Sequence, residues 1–587
     1  MRRKHLFLVA AVAILIALPL GAANENINYA DLAKIKAEGM QRSQVMEINS
    51  WLADVYAPRL TGSPTALKAA EWIVAKMKEW GISNAKIEPW QERYNFDRGW
   101  TNDKFYMAAV SPERFAIPGT PTAWTPGTNG LQSGEVVLVD PAATTEEALA
   151  AYKGKLKGKW ILTQAIPDVA AYWDPLSRRY TDDQLAAMQV VNPPQGEFGV
   201  TRPTAQLPGG GRGGFGMANV RNEFFRTEGA LGLISTAPRG HGIYTIGGNR
   251  QADPATTLPG IVIPAEQYGR LGRMLAKKVP VTIEADIKST YYPNPQLFNV
   301  VAEIPGSDPA LAGEVVLLGA HLDTWHAATG AADDGNGVAA MMEALRILKT
   351  TGVKLRRTVR VGFWEAEEQG LIGSREYVRM HYATAAGRGG GPGGAGAPGG
   401  RQGAPGAPPA AGAQAAGGRQ GAPGAQAAAT PPAGAPAPGG RGGFGGPTQP
   451  PTDVKPEYNK FCVYLNIDNG TGALRGIYTQ GNEAVVPIFK EWMEPFRSLG
   501  MTTVTTRNTS GTDHQSFDAV GLPGFQFIQD EIEYNTVVHH TNLDTYERLQ
   551  PRDNMQMATI VAGWAYLAAN RDEKLPRKPL APRTGTN

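Results

Sequence analysis

Five short stretches carry side chains that could bind metal or move protons: Gly319-Ala-His321-Leu-Asp323, Asp333-Asp334-Gly335 beginning twelve residues past the histidine, Glu365-Ala-Glu367-Glu368-Gln369, Asp468-Asn469-Gly470, and His539-His540 followed by Asp544. Each has an ordinary explanation alone. A single histidine usually makes a hydrogen bond, Asp-Asp-Gly and Asp-Asn-Gly are turn sequences, and paired glutamates at a helix start complement the helix dipole. Their joint occurrence says more. Two imidazoles with three or four carboxylates form a donor set suited to zinc, and so much negative charge suits two ions that share a carboxylate.

The elements that must position these residues are legible around them. Apolar runs at 299–304, 314–318, 358–364, 461–467 and 524–528 read as strands, and helical spacing at 338–348, 370–382 and 554–569 places helices between and after them. Near-continuous apolar strands alternating with helices predict an α/β fold, a mixed, mostly parallel sheet with helices on both faces. In such a sheet ligands collect beyond the carboxyl ends of the strands, where these stretches fall. Ser63, Pro64 and Gly81 frame a further amphipathic helix with Leu67, Ala70, Ile73, Val74 and Met77 on one side. From 130 to 290 the pattern changes to short β-rich runs separated by Gly/Pro turns, which predicts a separate domain.

His-Leu-Asp at 321–323, Ala-Asp-Asp-Gly-Asn-Gly at 332–337, Glu-Ala-Glu-Glu-Gln-Gly at 365–370, Asn-Ile-Asp-Asn-Gly at 466–470 and His-Thr-Asn-Leu-Asp-Thr at 540–545, in this order, resemble the co-catalytic zinc exopeptidases of family M28. Pro58-Arg-Leu-Thr-Gly-Ser-Pro64 brings the resemblance closest to the carboxypeptidase Q-like branch. The resemblance implies the zinc exopeptidase fold with 130–290 as an inserted protease-associated (PA) domain, and Zn2+ as cofactor at two ions per chain. It makes Asp333 the carboxylate bridging both ions, with His321 and Asp468 completing one site and Glu368 and His540 the other. Asp323 would accept the His321 imidazole N–H, and Glu367 would be the general base toward the attacking water. Asp513 and His514, in Gly511-Thr-Asp-His-Gln-Ser-Phe517, resemble an element near the substrate pocket, the other reading being a buried hydrogen-bonding pair. His326 and His539 rank behind the named histidines as ligands. The implied activity is hydrolysis of dipeptides or short peptides, carboxypeptidase Q-like, with an aminopeptidase on the same scaffold as the alternative.

The whole chain bounds these readings. Apolar residues at 42% and charged residues at 19% of 587 exclude a chain disordered throughout. A net charge of +3 is too near balance for capture of nucleic acid or an anionic membrane by charge alone. Gly-Arg-Gly-Gly-Phe-Gly at 211–216 and 440–445 imitates RNA-binding segments, but two isolated copies read as solvated linker, so the expected partner is a peptide substrate and not a nucleic acid. A non-catalytic peptide-binding protein is disfavoured because every ligand position and Glu367 are present. The lone cysteine, Cys462, excludes a disulfide within the chain and reads as core. A basic start, an apolar run at 6–20 and small residues at 21–23 predict a cleaved signal, hence a secreted or periplasmic enzyme with no lasting membrane span. Oligomeric state stays open. Between 384 and 450, 35 of 67 residues are Gly or Pro and none is acidic, which predicts disorder. The expected division is therefore a signal at 1–23, catalytic parts at 24–129, 291–383 and 456–575, the PA-like domain at 130–290, a disordered insert at 384–455 and a tail at 576–587.

Overall fold

Apolar side chains on both faces of a strand force it into the middle of a covered sheet, and the runs ahead of the ligand stretches obey this. Along Val315–His321, Val316, Leu318 and Ala320 face one core while Leu317 faces another; in Thr358–Trp364, Val359, Val361 and Phe363 oppose Trp364 in the same way. The period of two splits each strand between two buried layers. One layer is closed by helices Tyr29–Gln41, Pro64–Glu79, Asn336–Thr351 and Pro551–Asn570, the other by Ile372–His381 and His514–Asp518. Cys462 lies buried in the first layer.

The computed structural model describes residues 25–90, 94, 96–189, 214–386 and 450–578. The expected signal at 1–23 and, apart from its ends, the insert at 384–450 lie outside the described residues. At the flanks of that insert Thr384 and Thr452 exchange two main-chain hydrogen bonds of 2.8 Å. Among the described residues no helix is long and apolar enough to cross a membrane.

The first sheet runs in the order Ser83–Pro89, Phe298–Ile304, Thr358–Trp364, Val315–His321, Phe461–Asn466, Gly524–Gln529, Leu474–Tyr478, Thr503–Thr505. The four central strands, from Thr358–Trp364 to Gly524–Gln529, are mutually parallel, and the antiparallel pairings lie outside them. Their carboxyl ends therefore open on one edge. Ser63 caps the helix Pro64–Glu79, its hydroxyl accepting the Ala66 N–H at 3.2 Å. The fully buried face of that helix is Ala66, Ala69, Ala70, Ile73 and Met77, with Leu67 and Val74 only half-buried, because the alanines let the helix lie close against its neighbours.

A second mixed sheet is built within residues 98–293, between Ser83–Pro89 and Phe298–Ile304, which pair with each other in the first sheet. Its strands Gln132–Leu138, Trp160–Leu162, Gly232–Ser235 and Gly260–Val262 run parallel, with helix Ala265–Ala276 packed into the same core. The sheet takes in Arg98–Ser111, which lies ahead of the expected boundary at 130. That strand finds its hydrogen-bond partners along Thr282–Pro293, so its backbone is satisfied only within the second sheet.

Candidate metal centre

His321 ends the strand Val315–His321 and is buried, with its two ring nitrogens in different surroundings. Nδ1 lies 2.9 Å from the main-chain carbonyl of Asp323, which fixes it as the N–H nitrogen and leaves Nε2 with its lone pair outward. Nε2 stands 3.2 Å from Asp333 Oδ1 and 3.4 Å from Asp468 Oδ1. The other oxygen of Asp333, Oδ2, faces away to His540 Nε2 at 3.4 Å, and His540 Nε2 is 2.9 Å from Glu368 Oε2. One carboxylate thus presents an oxygen to each of two imidazoles. His539 is also drawn in, its Nε2 3.9 Å from Asp333 Oδ2 and its ring 3.8 Å from that of His540. The structure brings together His321, Asp333, Asp468, Glu368 and His540, and it sets His539 beside them.

The expected contact between the Asp323 carboxylate and the His321 ring is corrected by this geometry. The carboxylate is 3.7 Å from Nδ1, because the carbonyl of the same residue occupies the hydrogen-bonding position. It turns instead to the neighbouring loop: Oδ1 accepts the Glu367 N–H at 3.0 Å, and Oδ2 accepts the Glu368 N–H at 3.3 Å and the Thr61 hydroxyl at 2.9 Å. Asp323 therefore orients the backbone that carries both glutamates. Ala366, just before them, sits at φ 62°, and the sharp turn it makes needs such anchoring.

Several buried groups whose roles the sequence left unassigned hold the same loops. Arg59, fully buried, donates Nε to the Leu322 carbonyl at 2.8 Å, Nη1 to the Leu52 carbonyl at 2.7 Å and Nη2 to the Gly330 carbonyl at 2.8 Å. Glu365 accepts the N–H groups of Gly62 at 3.0 Å and Phe298 at 2.8 Å. Asp334, joined to Asp333 by a cis peptide, accepts the His321 N–H and the Gly337 N–H, both at 3.2 Å. Asp544 accepts the N–H groups of Ala332 at 2.7 Å and Asp333 at 3.1 Å. The signal for Arg59 was its place in the 58–64 stretch, and for Asp544 its place four residues past His540.

So many buried carboxylates repel one another unless cations intervene. Burial pushes Glu368 up to about 7 against the pull of His540, raises Asp468, and drives Glu367 well above the usual carboxylate range with Asp468, Asp513 and Glu368 adding to it. Burial would raise Asp333 too, but the His321 hydrogen bond and the charges of His540 and His539 outweigh it and hold that carboxyl low. Burial lowers the His540 imidazole, yet Glu368 beside it carries it up to about 9. Metal ions would supply the missing positive charge, and the donors fit them. Asp333 Oδ2 and Glu368 Oε1 are buried without a hydrogen-bond partner among the described residues. In tetrahedral zinc sites, bonds of ~2.0–2.1 Å set neighbouring donors about 3.3 Å apart. The donor separations here of 3.2 and 3.4 Å on one side, 2.9 and 3.4 Å on the other, bracket that value.

A small cleft opens on this site, lined by Trp325, Gly330, Asp333, Glu368, His540 and Asp544 among others. Asp513 and His514 are not among its lining residues. Asp513 is buried, and its carboxyl is pushed up to about 7 by that burial. His514 turns Nε2 to the Gln480 side chain and the Thr509 carbonyl, and burial lowers its ring to about 3.

An α/β sheet with one imidazole at a central strand end and another on a loop, both facing a shared carboxylate, is the arrangement of a metallohydrolase. Residues 299–388 and 450–565, which contain His321, Asp323, Asp333, Glu367, Glu368, Asp468, His540 and Asp544, match the model of Peptidase family M28. Mouse (Mus musculus) carboxypeptidase Q is 25% identical over 560 residues, 94% of this chain and 92% of that protein. Leupeptin-inactivating enzyme 1 of Streptomyces exfoliatus is 40% identical over 81 residues, 14% of this chain and 18% of that protein. The crystal structure of a peptidase M28 precursor from Shewanella amazonensis SB2B shares the fold, with a TM-score of 0.59 at 22% identity, covering 95% of this chain and all of that one (100%).

Proposed function

We propose that the protein is a zinc-dependent exopeptidase with two ions per chain, acting on dipeptides or short peptides. The observation that carries this reading is Asp333, whose two oxygens face His321 with Asp468 on one side and His540 with Glu368 on the other. Zinc bound by these residues would make a water nucleophilic near neutral pH and polarise the scissile carbonyl. Glu367 takes the proton of the attacking water and returns it to the leaving amine. A ligand carboxylate is a poor base, so the neighbouring glutamates divide the work: Glu368 binds and Glu367 stays free. Asp323 holds both through their N–H groups.

Carboxypeptidase Q-like cleavage of the substrate is the favoured polarity, supported by the similarity to carboxypeptidase Q over most of both chains. Residues 1–23 serve as an export signal, so the enzyme works outside the cytoplasm, and the second sheet is a PA-like insertion in the catalytic domain. The test is metal analysis of the purified protein together with a dipeptide panel in which each terminus is blocked in turn. Close to two zinc ions, hydrolysis abolished by chelator, and a requirement for a free carboxylate are expected. No bound transition metal with activity untouched by chelator would overturn the reading, and a requirement for a free amine would assign the aminopeptidase polarity instead.

A further inference from the structure

The connection between strands Gly232–Ser235 and Gly260–Val262 leaves the second sheet and docks on the loop that carries His540. The Ile246 N–H donates to the His540 carbonyl at 2.9 Å, Thr245 and Thr541 form an antiparallel bridge, and the Asn542 N–H donates to the Tyr244 carbonyl at 3.3 Å. The Asn542 side chain closes the seam from both ends. Its Oδ1 accepts the Tyr244 N–H at 2.9 Å and its Nδ2 donates to the Gly242 carbonyl at 3.2 Å.

The docked loop is itself fixed to the second sheet. The Ala123 N–H donates to the Gly247 carbonyl at 3.1 Å, Ala123 bridges to Gly248, and Tyr244 and Ile246 are buried with Trp124 and Trp325. Ile243 is buried on the other side with Ala331, Ala332, Val537 and Val538, next to Asp333. Meanwhile His540 itself is held at φ 57°, a backbone region that ordinary side chains seldom occupy unless neighbours enforce it. That conformation belongs to a turn closed by the Thr541 N–H on the Val538 carbonyl at 3.0 Å, and the main-chain groups of 244–246 pin the turn from outside through the His540 carbonyl and Asn542. By contrast His321 ends a central strand and Asp468 follows one, so their positions are set by the first sheet.

We propose that the 240–248 loop of the second sheet sets the His540 imidazole, with Asn542 as the positioning residue. The ion site of Asp333, Glu368 and His540 then depends on the docked loop, whereas the site of His321, Asp333 and Asp468 does not. The second sheet is thereby a working part of the metal centre. This rests on the two-ion reading above, and the test separates the two. Zinc is titrated against a chromophoric chelator into metal-free wild type, Asn542→Ala and Asn542→Asp, each as the full folded chain with its thermal midpoint recorded.

Wild type is expected to take up two ions. Asn542→Ala should bind the first as wild type does and the second about 10–100-fold more weakly, the usual effect of removing a group that orients a ligand. Asn542→Asp keeps the acceptor for Tyr244 but sets an oxygen against the Gly242 carbonyl, and should fall between. Two ions held by Asn542→Ala at wild-type affinity would overturn the proposal, as would equal weakening of both ions with a lowered midpoint. If Asn542→Ala does not fold, Asn542→Asp is judged by the same criteria. A wild type that takes up no second ion would overturn the two-ion reading and this proposal with it.

Discussion

Glu367 and Glu368 are neighbours in sequence, share the same anchor in Asp323, and are both buried, yet their side chains have different company. Glu368 is in contact with His540, whereas among the described residues no histidine forms an ion pair with Glu367. Glu367→Gln should therefore retain zinc and lose about 10²–10⁴-fold in kcat, since an amide keeps the shape but cannot take a proton. Glu368→Gln should lose metal first, seen as fewer ions per chain before any separate effect on turnover. Equal metal loss in both would mean that binder and base have been assigned wrongly. The adjacent histidines invite the same treatment. His540→Ala should remove one ion, while His539→Ala should keep both, because Glu368 makes its 2.9 Å contact with His540 and His539 stands at 3.9 Å from Asp333. Counting zinc in the two variants decides which ring binds.

At the scale of elements, the site is held by ties between segments far apart in the chain. Arg59 joins the 58–64 stretch to the loops after His321 and before Asp333, offering a planar fork to carbonyls buried with it. Arg59→Lys keeps the charge but reaches fewer carbonyls, and should cost about 2–4 kcal/mol of stability in denaturant titration along with weaker metal binding. A second tie joins the edge strand Ser83–Pro89 to helix Ile372–His381 through Glu88 and His381 at 3.0 Å. Burial opposes ionisation of Glu88, but His381 and then Lys86 outweigh it and lower its pKa from 4.5 to about 2. The folded state therefore favours the ionised carboxylate. Its stabilisation is complete above the unfolded pKa of 4.5 and is lost as pH falls through about 2. The stability gap between wild type and Glu88→Gln should be about 1 kcal/mol at pH 6 and should shrink steadily below pH 4.5. A gap that stayed constant with pH would assign the effect to packing. The central strands were legible because apolar residues fill both faces, and the ligands because they follow those strands directly. Arg98–Ser111 was not legible: its exposed and buried positions do not alternate cleanly, and it gains its order from Thr282–Pro293 across a long gap in sequence. The true contact of Asp323 was hidden for a different reason. Residue spacing shows that a carboxylate is near a ring, and only the fold shows that the main-chain carbonyl gets there first.

For the molecule as a whole, the Gly- and Pro-rich stretch and the second sheet pose opposite cases. The pairing of Thr384 with Thr452 closes the base of the stretch between them, and Phe444 is its only large apolar side chain. Replacing 385–451 by a short flexible linker should leave zinc content and dipeptide hydrolysis nearly unchanged and be neutral or stabilising by about 1–2 kcal/mol, because loop closure depends only on the logarithm of length. Melting temperature and rates on a dipeptide and a longer peptide check this; a large loss on the dipeptide with zinc retained would refute it. The second sheet is different in time as well as in space. All its strands lie within 98–293, but Ser83–Pro89 must wait for Phe298–Ile304, and helix Tyr29–Gln41 for Pro551–Asn570. A growing chain can therefore close the second sheet while the first is still missing its central strands. His540 is then among the last residues to arrive, and the Gly242–Ile246 backbone its loop pairs with can already be standing, so a late-made loop is received by an early-made template.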